Sequence, residues 1–576
     1  MNINLKIKRL DFLSIILISV IIFQINICPL SNLQTEKKSN SNEDTELQTF
    51  FSYPSEDISN STHLMASKIL ANSVSTSEDN VESYNMGSTK TFWVENLKYA
   101  NDGIDNDGNG IDFQQGDWAE AMYQITAVVV NITNFAYIFV EQDCRNHLES
   151  YYKGKLASDI GQVFETKIEP MISQFGSPSD IDHNGKIIIL IFPFIESSSS
   201  TFMTGYFFSN NMQKPLSDKT NFQYYSNHGE IININDEVFK TLGNAIDNWG
   251  PTLTHEYFHL VHYNYNPTED LWLEEGFAVF AEYFTGFKSG YRSYLQDNND
   301  GYFLHASDTS LTYFQQTLEN YGQSFLFVLY LYQRFGLNFI KSLMQTKLSG
   351  MTAIKNQIGL LHDNITFEDV YSDWMISNVV NDQTNSIYSY NNFSYKLSSN
   401  QFSKNNNINI PSEIKDQIVP YWSNNFIILP QNDLQPYYVT FYPELQTHDS
   451  EFQLSVVTFH SNGHWDFVKI PLVNDESGSF LIQYASLSDS KILIVSSLTG
   501  GSSGSQTIEK NLLENHYYNV YNLNYDVFTY SLKFGLKIIN DTLPTYFFTI
   551  NTESGESVSN TQVKNISISI YDWNTN

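Results

Sequence analysis

Thr254-His255-Glu256-Tyr257-Phe258-His259, followed sixteen residues after His259 by Glu275 in Trp272-Leu273-Glu274-Glu275-Gly276-Phe277-Ala278, is the stretch from which the rest of the chain is best read. It supplies two imidazoles four residues apart, a carboxylate between them and a further carboxylate downstream. On a helix His255 and His259 lie one turn apart on one face, so both rings can reach a single ion. Glu256 then turns toward whatever occupies the ion's open position. The segment must therefore be helical, and a second helix must carry Glu275 back to it.

Working outward, Gly250-Pro251 is the expected start of the first helix, because proline suits a first helical turn, and Asn266-Pro267 is its expected end. A second helix is expected from Leu271 to Gly286. A third is expected from Tyr321 to Phe335, stopped by Gly336. Thr366, with Asp369 three residues on, should cap a last helix running through Val380. Upstream, Tyr123 to Val130, Ala136 to Val140 and Lys186 to Phe192 are β-branched and aromatic runs bounded by polar turns, and read as strands. A helix is expected at Ile160 to Phe175, kinked or ended by Pro170. Beyond about residue 388, Trp422 to Leu429, Gln453 to Phe459 and Lys491 to Ser496 read as further strands. No internal repeat is strong enough to suggest a solenoid or propeller.

These elements predict an α+β chain: 1–30 as a signal peptide or N-terminal anchor, 31–90 as a Ser/Asn-rich disordered linker, 91–385 as a metal-bearing domain with an N-terminal sheet and a helical half, and 386–576 as an all-β, sandwich-like region. Lys6, Lys8 and Arg9 before the apolar run Phe12 to Ile27 give the first segment its export character. Cleavage is preferred over an uncleaved anchor, so an extracellular or cell-surface location is expected. Two cysteines, Cys28 and Cys144, exclude a disulfide framework. The net charge of −32, with no basic patch, excludes nucleic acid as a partner. Six Asn-x-Ser/Thr sequons add little in so Asn-rich a chain. A monomer is expected, touching a membrane only through the N-terminal anchor.

The donor set implies a chemistry. One zinc held by His255, His259 and Glu275 leaves a fourth position for water, whose pKa it lowers toward about 7. Glu256 is the expected general base, returning its proton to a leaving amine. Glu274 is the rival third ligand, but it sits about 100° round the helix from Glu275, so only one of the two can face the ion.

The motif pair resembles the gluzincin clan of zinc metallopeptidases, in which the glutamate before the glycine is the third ligand; the resemblance thereby favours Glu275. Within that clan the chain is most similar to the hyicolysin-type neutral metallopeptidases. The matching features are Phe175-Gly176-Ser177-Pro178-Ser179-Asp180-Ile181-Asp182-His183-Asn184-Gly185-Lys186, Gly205-Tyr206-Phe207, Ser226-Asn227-His228-Gly229-Glu230-Ile231 and Asn320-Tyr321-Gly322-Gln323-Ser324-Phe325-Leu326-Phe327, in that order. They span roughly residues 91 to 385. Tyr321-Gly322 is similar to the tyrosine-glycine element of aminopeptidase-N-like gluzincins, which implies that Tyr321 is a catalytic residue stabilising the oxyanion. The bland alternative is a packed tyrosine.

Glu282 shares a helical face with Glu275 and is a candidate to orient a zinc histidine. His262 lies beyond the turn that cradles the ion and reads as an outer or helix-end histidine. Asp105, Asp107, Asn109 and Asp112 are spaced like calcium ligands, so Ca2+ is a candidate second ion, although Gly116 stands where a bidentate glutamate would be needed. Asp180, Asp182 and Asn184 repeat the short spacing before a buried strand, where a turn without metal is expected.

The preferred reading is a zinc metalloendopeptidase acting on protein or peptide substrates. A zinc aminopeptidase is the second reading, disfavoured because the amine-reading Gly-x-Met-Glu-Asn element is missing. A catalytically silent binding or adhesion protein is the third, disfavoured because His255, Glu256, His259 and Glu275 are all retained.

Overall fold

The computed structural model describes, with short breaks, residues 83–97, 121–144, 155–397 and 412–499, and beyond them strand backbones at 516–519, 523–524, 536–539 and 550–551. The N-terminal apolar run and the acidic loop holding Asp105, Asp107, Asn109 and Asp112 lie outside the described residues. Among those described, no helix is long and apolar enough to cross a membrane.

The architecture is mixed α and β. A six-stranded sheet comes first: β1 (Thr89–Glu95), β2 (Met122–Ile132), β3 (Ala136–Glu141), β4 (Ile187–Phe192), β5 (Gly205–Phe207) and β6 (Ile231–Asn235), in the order β1-β2-β3-β4-β6-β5. β3, β4 and β6 run parallel, and the other pairs are antiparallel. β4, Ile-Ile-Ile-Leu-Ile-Phe, is buried along its whole length because both sheet faces are covered. Ile187, Ile189 and Ile191 face the helices, whereas Ile188, Leu190 and Phe192 pack with Phe92, Phe139 and Tyr206 on the far side.

Helix α1 starts at Leu156–Val163 and continues through a π-turn, Phe164–Ile168, into Glu169–Ile172. Pro170 neither ends nor breaks it, since the wider turn just before it absorbs the register that the missing N–H would disturb. The helical half follows as α2 (Ile246–Tyr265), α3 (Leu271–Thr285), α4 (Ser289–Gln296), α5 (Tyr302–His305), α6 (Leu318–Phe335), α7 (Leu337–Gln345), α8 (Gly350–Leu361) and α9 (Phe367–Val380).

One expectation needs correcting. α2 begins at Ile246, not at Gly250-Pro251, and Pro251 sits inside it. The preceding turn is helical with Asp247 at the positive end of the helix dipole. Pro251 forgoes only the bond to the Asp247 carbonyl. Gly250 is required for another reason: a Cβ there would lie 2.4 Å from the Phe287 ring. Similarly α6 starts three residues before Tyr321, at Leu318. The capping box of α9 forms as expected, with Thr366 Oγ1 accepting from Asp369 N–H at 3.1 Å and the Asp369 carboxylate accepting from Thr366 N–H at 3.2 Å.

The C-terminal strands are β7 (Ser412–Ile414), β8 (Gln417–Val419), β9 (Asn424–Leu429), β10 (Tyr437–Glu444), β11 (Ser450–Phe459), β12 (Trp465–Ile470), β13 (Gly478–Ile482), β14 (Ser490–Thr499), β15 (His516–Asn519), β16 (Leu523–Asn524), β17 (Leu536–Ile539) and β18 (Ile550–Asn551). Four of them make the sheet β12-β11-β14-β9, and β7-β17-β10-β15-β8, with β13 beside β10, makes another. Strand alternation gives the four-stranded sheet two apolar faces. Leu493 and Val495 pack with Val439, Phe441 and Phe480 of the other sheet, while Ile492, Ile494 and Phe426 join the core of the helical half. Trp422 meets Phe367 and Tyr371 of α9 edge-on, and Asn424 Nδ2 donates to Tyr371 OH at 2.8 Å. Packing therefore runs across the expected boundary at residue 386.

Candidate metal centre

α2 and α3 form an antiparallel pair joined by the short turn at Asn266-Pro267, and the pair's facing sides carry the cluster. α3 can lie close to α6 because Gly276 has no side chain: a Cβ there would be 2.9 Å from the Ser324 carbonyl oxygen. A glycine directly after Glu275 thus sets the depth at which that carboxylate enters the site.

His255, His259 and Glu275 are all buried and their ligand atoms converge. His255 Nε2 is 3.1 Å and His259 Nε2 is 3.5 Å from the same Glu275 Oε2. Tetrahedral zinc with bonds of about 2.0–2.1 Å sets its ligand atoms about 3.3–3.4 Å apart, so these separations fit such an ion with little movement.

The other ring nitrogens are held as well. His255 Nδ1 is 2.9 Å from Glu282 Oε1, and His259 Nδ1 is 3.2 Å from Glu274 Oε1. A carboxylate on each Nδ1 fixes the tautomer that presents Nε2 to the metal and makes that nitrogen a better donor. Glu282 is accommodated by Gly290, where a Cβ would come 2.0 Å from Glu282 Oε2. Glu274 is placed as a partner of His259, and Glu275 alone of the two adjacent glutamates reaches both Nε2 atoms. The role of Glu274 was missed in the sequence. The signal was there, since two adjacent glutamates 100° apart can serve one histidine from the metal side and its neighbour from behind.

Within this cluster burial works to lower the His255 pKa, yet Glu275 and Glu282 outweigh it and raise it to about 9. For His259 burial is likewise outweighed by Glu275 and Glu274. Burial would raise Glu275, but the two imidazoles pull it down to about 2. Positive charge is thus stabilised where these groups meet.

Glu256 lies beside the cluster without joining its converging ligand atoms. It is buried beneath β5, where a Cβ on Gly205 would lie 3.2 Å from the Glu256 side chain. Burial raises its pKa, with Glu275 adding, against the two histidines and a hydrogen bond from the Phe207 N–H. A carboxylate held toward its neutral form beside a cation site is suited to proton exchange. Tyr321 is fully buried on α6, stacked on Tyr294 at 5.2 Å and edge-on to Phe314 at 4.8 Å. His262 is fully buried too, its ring against Phe258 and Phe277.

A neutral metalloprotease of Staphylococcus hyicus, ShpI, is 28% identical to this chain over 228 residues, which are 36% of this chain and 50% of that protein. The chain thus spans about half the length of that relative. The similarity supports a relationship to metallopeptidases. No family model matches the chain. A solved 4-O-methyl-α-glucuronidase overlaps 59% of this chain and 52% of its own at 6% identity, with a TM-score of 0.12, which is too low to bear on the fold.

Proposed function

We propose that the chain is a zinc-dependent endopeptidase of the gluzincin, hyicolysin-like type, exported from the cell and acting on protein or peptide substrates. The observation that carries this reading is the convergence of His255 Nε2 and His259 Nε2 on one Glu275 oxygen, at 3.1 and 3.5 Å. The similarity to a neutral metalloprotease supports it.

His255, His259 and Glu275 would hold the ion, and Glu274 and Glu282 would orient the two rings. When bound, zinc supplies Lewis acidity, which polarises a carbonyl and makes water acidic enough to give a nucleophile near neutral pH. Glu256 would take up a proton at its carboxylate and deliver it to the nitrogen of the departing amine. Its burial under β5 keeps bulk water from competing for that proton. For Tyr321 the support is the resemblance of Tyr321-Gly322 to the oxyanion-binding element. The absence of an amine-reading motif supports cleavage within chains.

The test is zinc content and casein hydrolysis of the full chain beside Glu256→Gln. About one zinc in each, with hydrolysis reduced roughly 10²–10⁴-fold in the variant, is expected. A folded wild-type chain that takes up no zinc would overturn the reading.

A further inference from the structure

A second group of acidic side chains sits at the other end of the sheet's parallel strands. Asp180, Asp182 and Glu230 bring three carboxylate oxygens within 4.8 Å of one another. Asp180 and Asp182 belong to the turn that enters β4, and Glu230 immediately precedes β6, with Ile188 N–H donating to the Glu230 carbonyl at 2.7 Å.

The turn's own hydrogen bonds account for much of its shape. Asp180 Oδ1 accepts from Gly185 N–H at 3.0 Å. Asp182 accepts from Asn184 N–H at 3.1 Å and from Asn184 Nδ2 at 2.5 Å. They do not account for Glu230. Its side chain is 2% exposed, and Oε1 accepts from Ser179 Oγ at 2.9 Å and Ile181 N–H at 2.7 Å. Among the described residues, Oε2 is buried with no hydrogen-bond partner. A buried carboxylate oxygen without a partner, facing two aspartates, is costly unless a cation completes it. The nearby Lys186 does not serve, because its Nζ donates to the Thr133 and Asn134 carbonyls at 2.6 Å each. Burial raises the Glu230 carboxyl to about 7, with Asp182 adding and hydrogen bonds from Ile181, Ser179 and its own backbone N–H opposing.

We propose that Asp180, Asp182 and Glu230 form an oxygen-only divalent cation site, for calcium, that ties the turn before β4 to the start of β6. The expectation of a plain turn came from reading Asp180, Asp182 and Asn184 alone. Glu230 is 48 residues further on than Asp182, and only the fold brings it there. Hard carboxylate donors with no nitrogen or sulfur favour calcium over zinc, and an irregular loop tolerates calcium's variable coordination better than the strict octahedron of magnesium. The ion would act as a clasp between two central strands and stands independently of the zinc reading.

The experiment uses the full chain, stripped of calcium with EGTA, returned to one equivalent of zinc and dialysed free of chelator, then titrated with CaCl2 by calorimetry while Tm is followed. Wild type should take up calcium with a rise in Tm. Glu230→Gln should lose one calcium per chain, or bind it at least tenfold more weakly, with zinc content unchanged. Asp180→Asn, at an exposed position where folding is not at stake, should behave likewise. Asp107→Asn, in the acidic stretch 105–112 of the sequence, should keep the site. Calcium-free Glu230→Gln should be at least as stable as calcium-free wild type, because it removes a buried charge. Equal calcium stoichiometry, affinity and Tm rise in Glu230→Gln and wild type would overturn the proposal. So would loss of calcium in Asp107→Asn alone, or no calcium uptake by wild type.

Discussion

Two of the ion-sized clusters among the described residues are built on opposite plans. Around His255, His259 and Glu275 the protein supplies the balancing charges itself: Glu282 and Glu274 stand behind the rings, and the third carboxylate lies between the Nε2 atoms. Around Asp180, Asp182 and Glu230 the donors come from turns, and one buried oxygen is left without a partner. The first cluster rides on two packed helices, and a carboxylate holds each ring from behind. The second joins a turn to the start of a strand, and the proposed ion would tie the two. Pre-organisation suits chemistry, in which ligands must not move, whereas a clasp can follow its ion.

The comparison breaks first at Glu275. Glu275→Gln removes a ligand shared between both rings, and its loss of zinc affinity, measured by competition with a chromophoric chelator, should exceed the roughly 10–100-fold typical of groups behind a ligand. An unchanged affinity would mean that Glu275 does not face the ion. Glu282→Gln and Glu274→Gln should each fall in that 10–100-fold range. Gly290→Ala, which crowds Glu282, should resemble the former, and equal effects at all sites would erase the distinction between ligand and support.

The smallest expected effect sharpens the contrast with a third carboxylate. Glu269 is buried and satisfied by neutral donors, the N–H groups of Gly350 and Asp270, at 2.6 and 2.8 Å. Burial raises its pKa from 4.5 to about 8 in spite of them. A raised folded pKa means that the native state holds this proton more tightly than the unfolded chain does. Its stabilisation is therefore complete below about 4.5 and lost as pH rises through about 8. Glu269→Gln should flatten that decline, raising Tm at pH 9 by roughly 2–4 °C for each 1 kcal/mol relieved. Unlike Glu230→Gln, it should be indifferent to calcium.

What the sequence disclosed follows the range of the interactions. His255, Glu256 and His259 follow from local helical spacing, and the capping box at Thr366 is local too, so both are readable, whereas the preference for Glu275 over Glu274 came from the resemblance to the gluzincin clan. The strands at Tyr123, Ala136 and Lys186 show as apolar runs. The start of α2 did not show, because Pro251 reads as a first-turn residue and only the packing of Gly250 against Phe287 explains the extra turn. α4, α5, α7 and α8 lack caps or long apolar repeats and went unread. Glu230 beside Asp182 could not be seen before the chain was folded, since it depends on a crossover that no spacing rule encodes, whereas the 100° offset of Glu274 from Glu275 is written in the sequence.

The double-sided burial of the four-stranded sheet has a consequence for how the chain is made. Ile492 and Ile494 complete a core to which Val379 and Val380 of α9 also belong, yet they are synthesised about a hundred residues later. At roughly 5–20 residues per second the ribosome needs about 5–20 s to cover that distance. Trp422 and Phe426 reach that core first, and β14 completes it. A chain cut before β14 should therefore lose stability in the metal-bearing half, read as a lower Tm than that of the full chain.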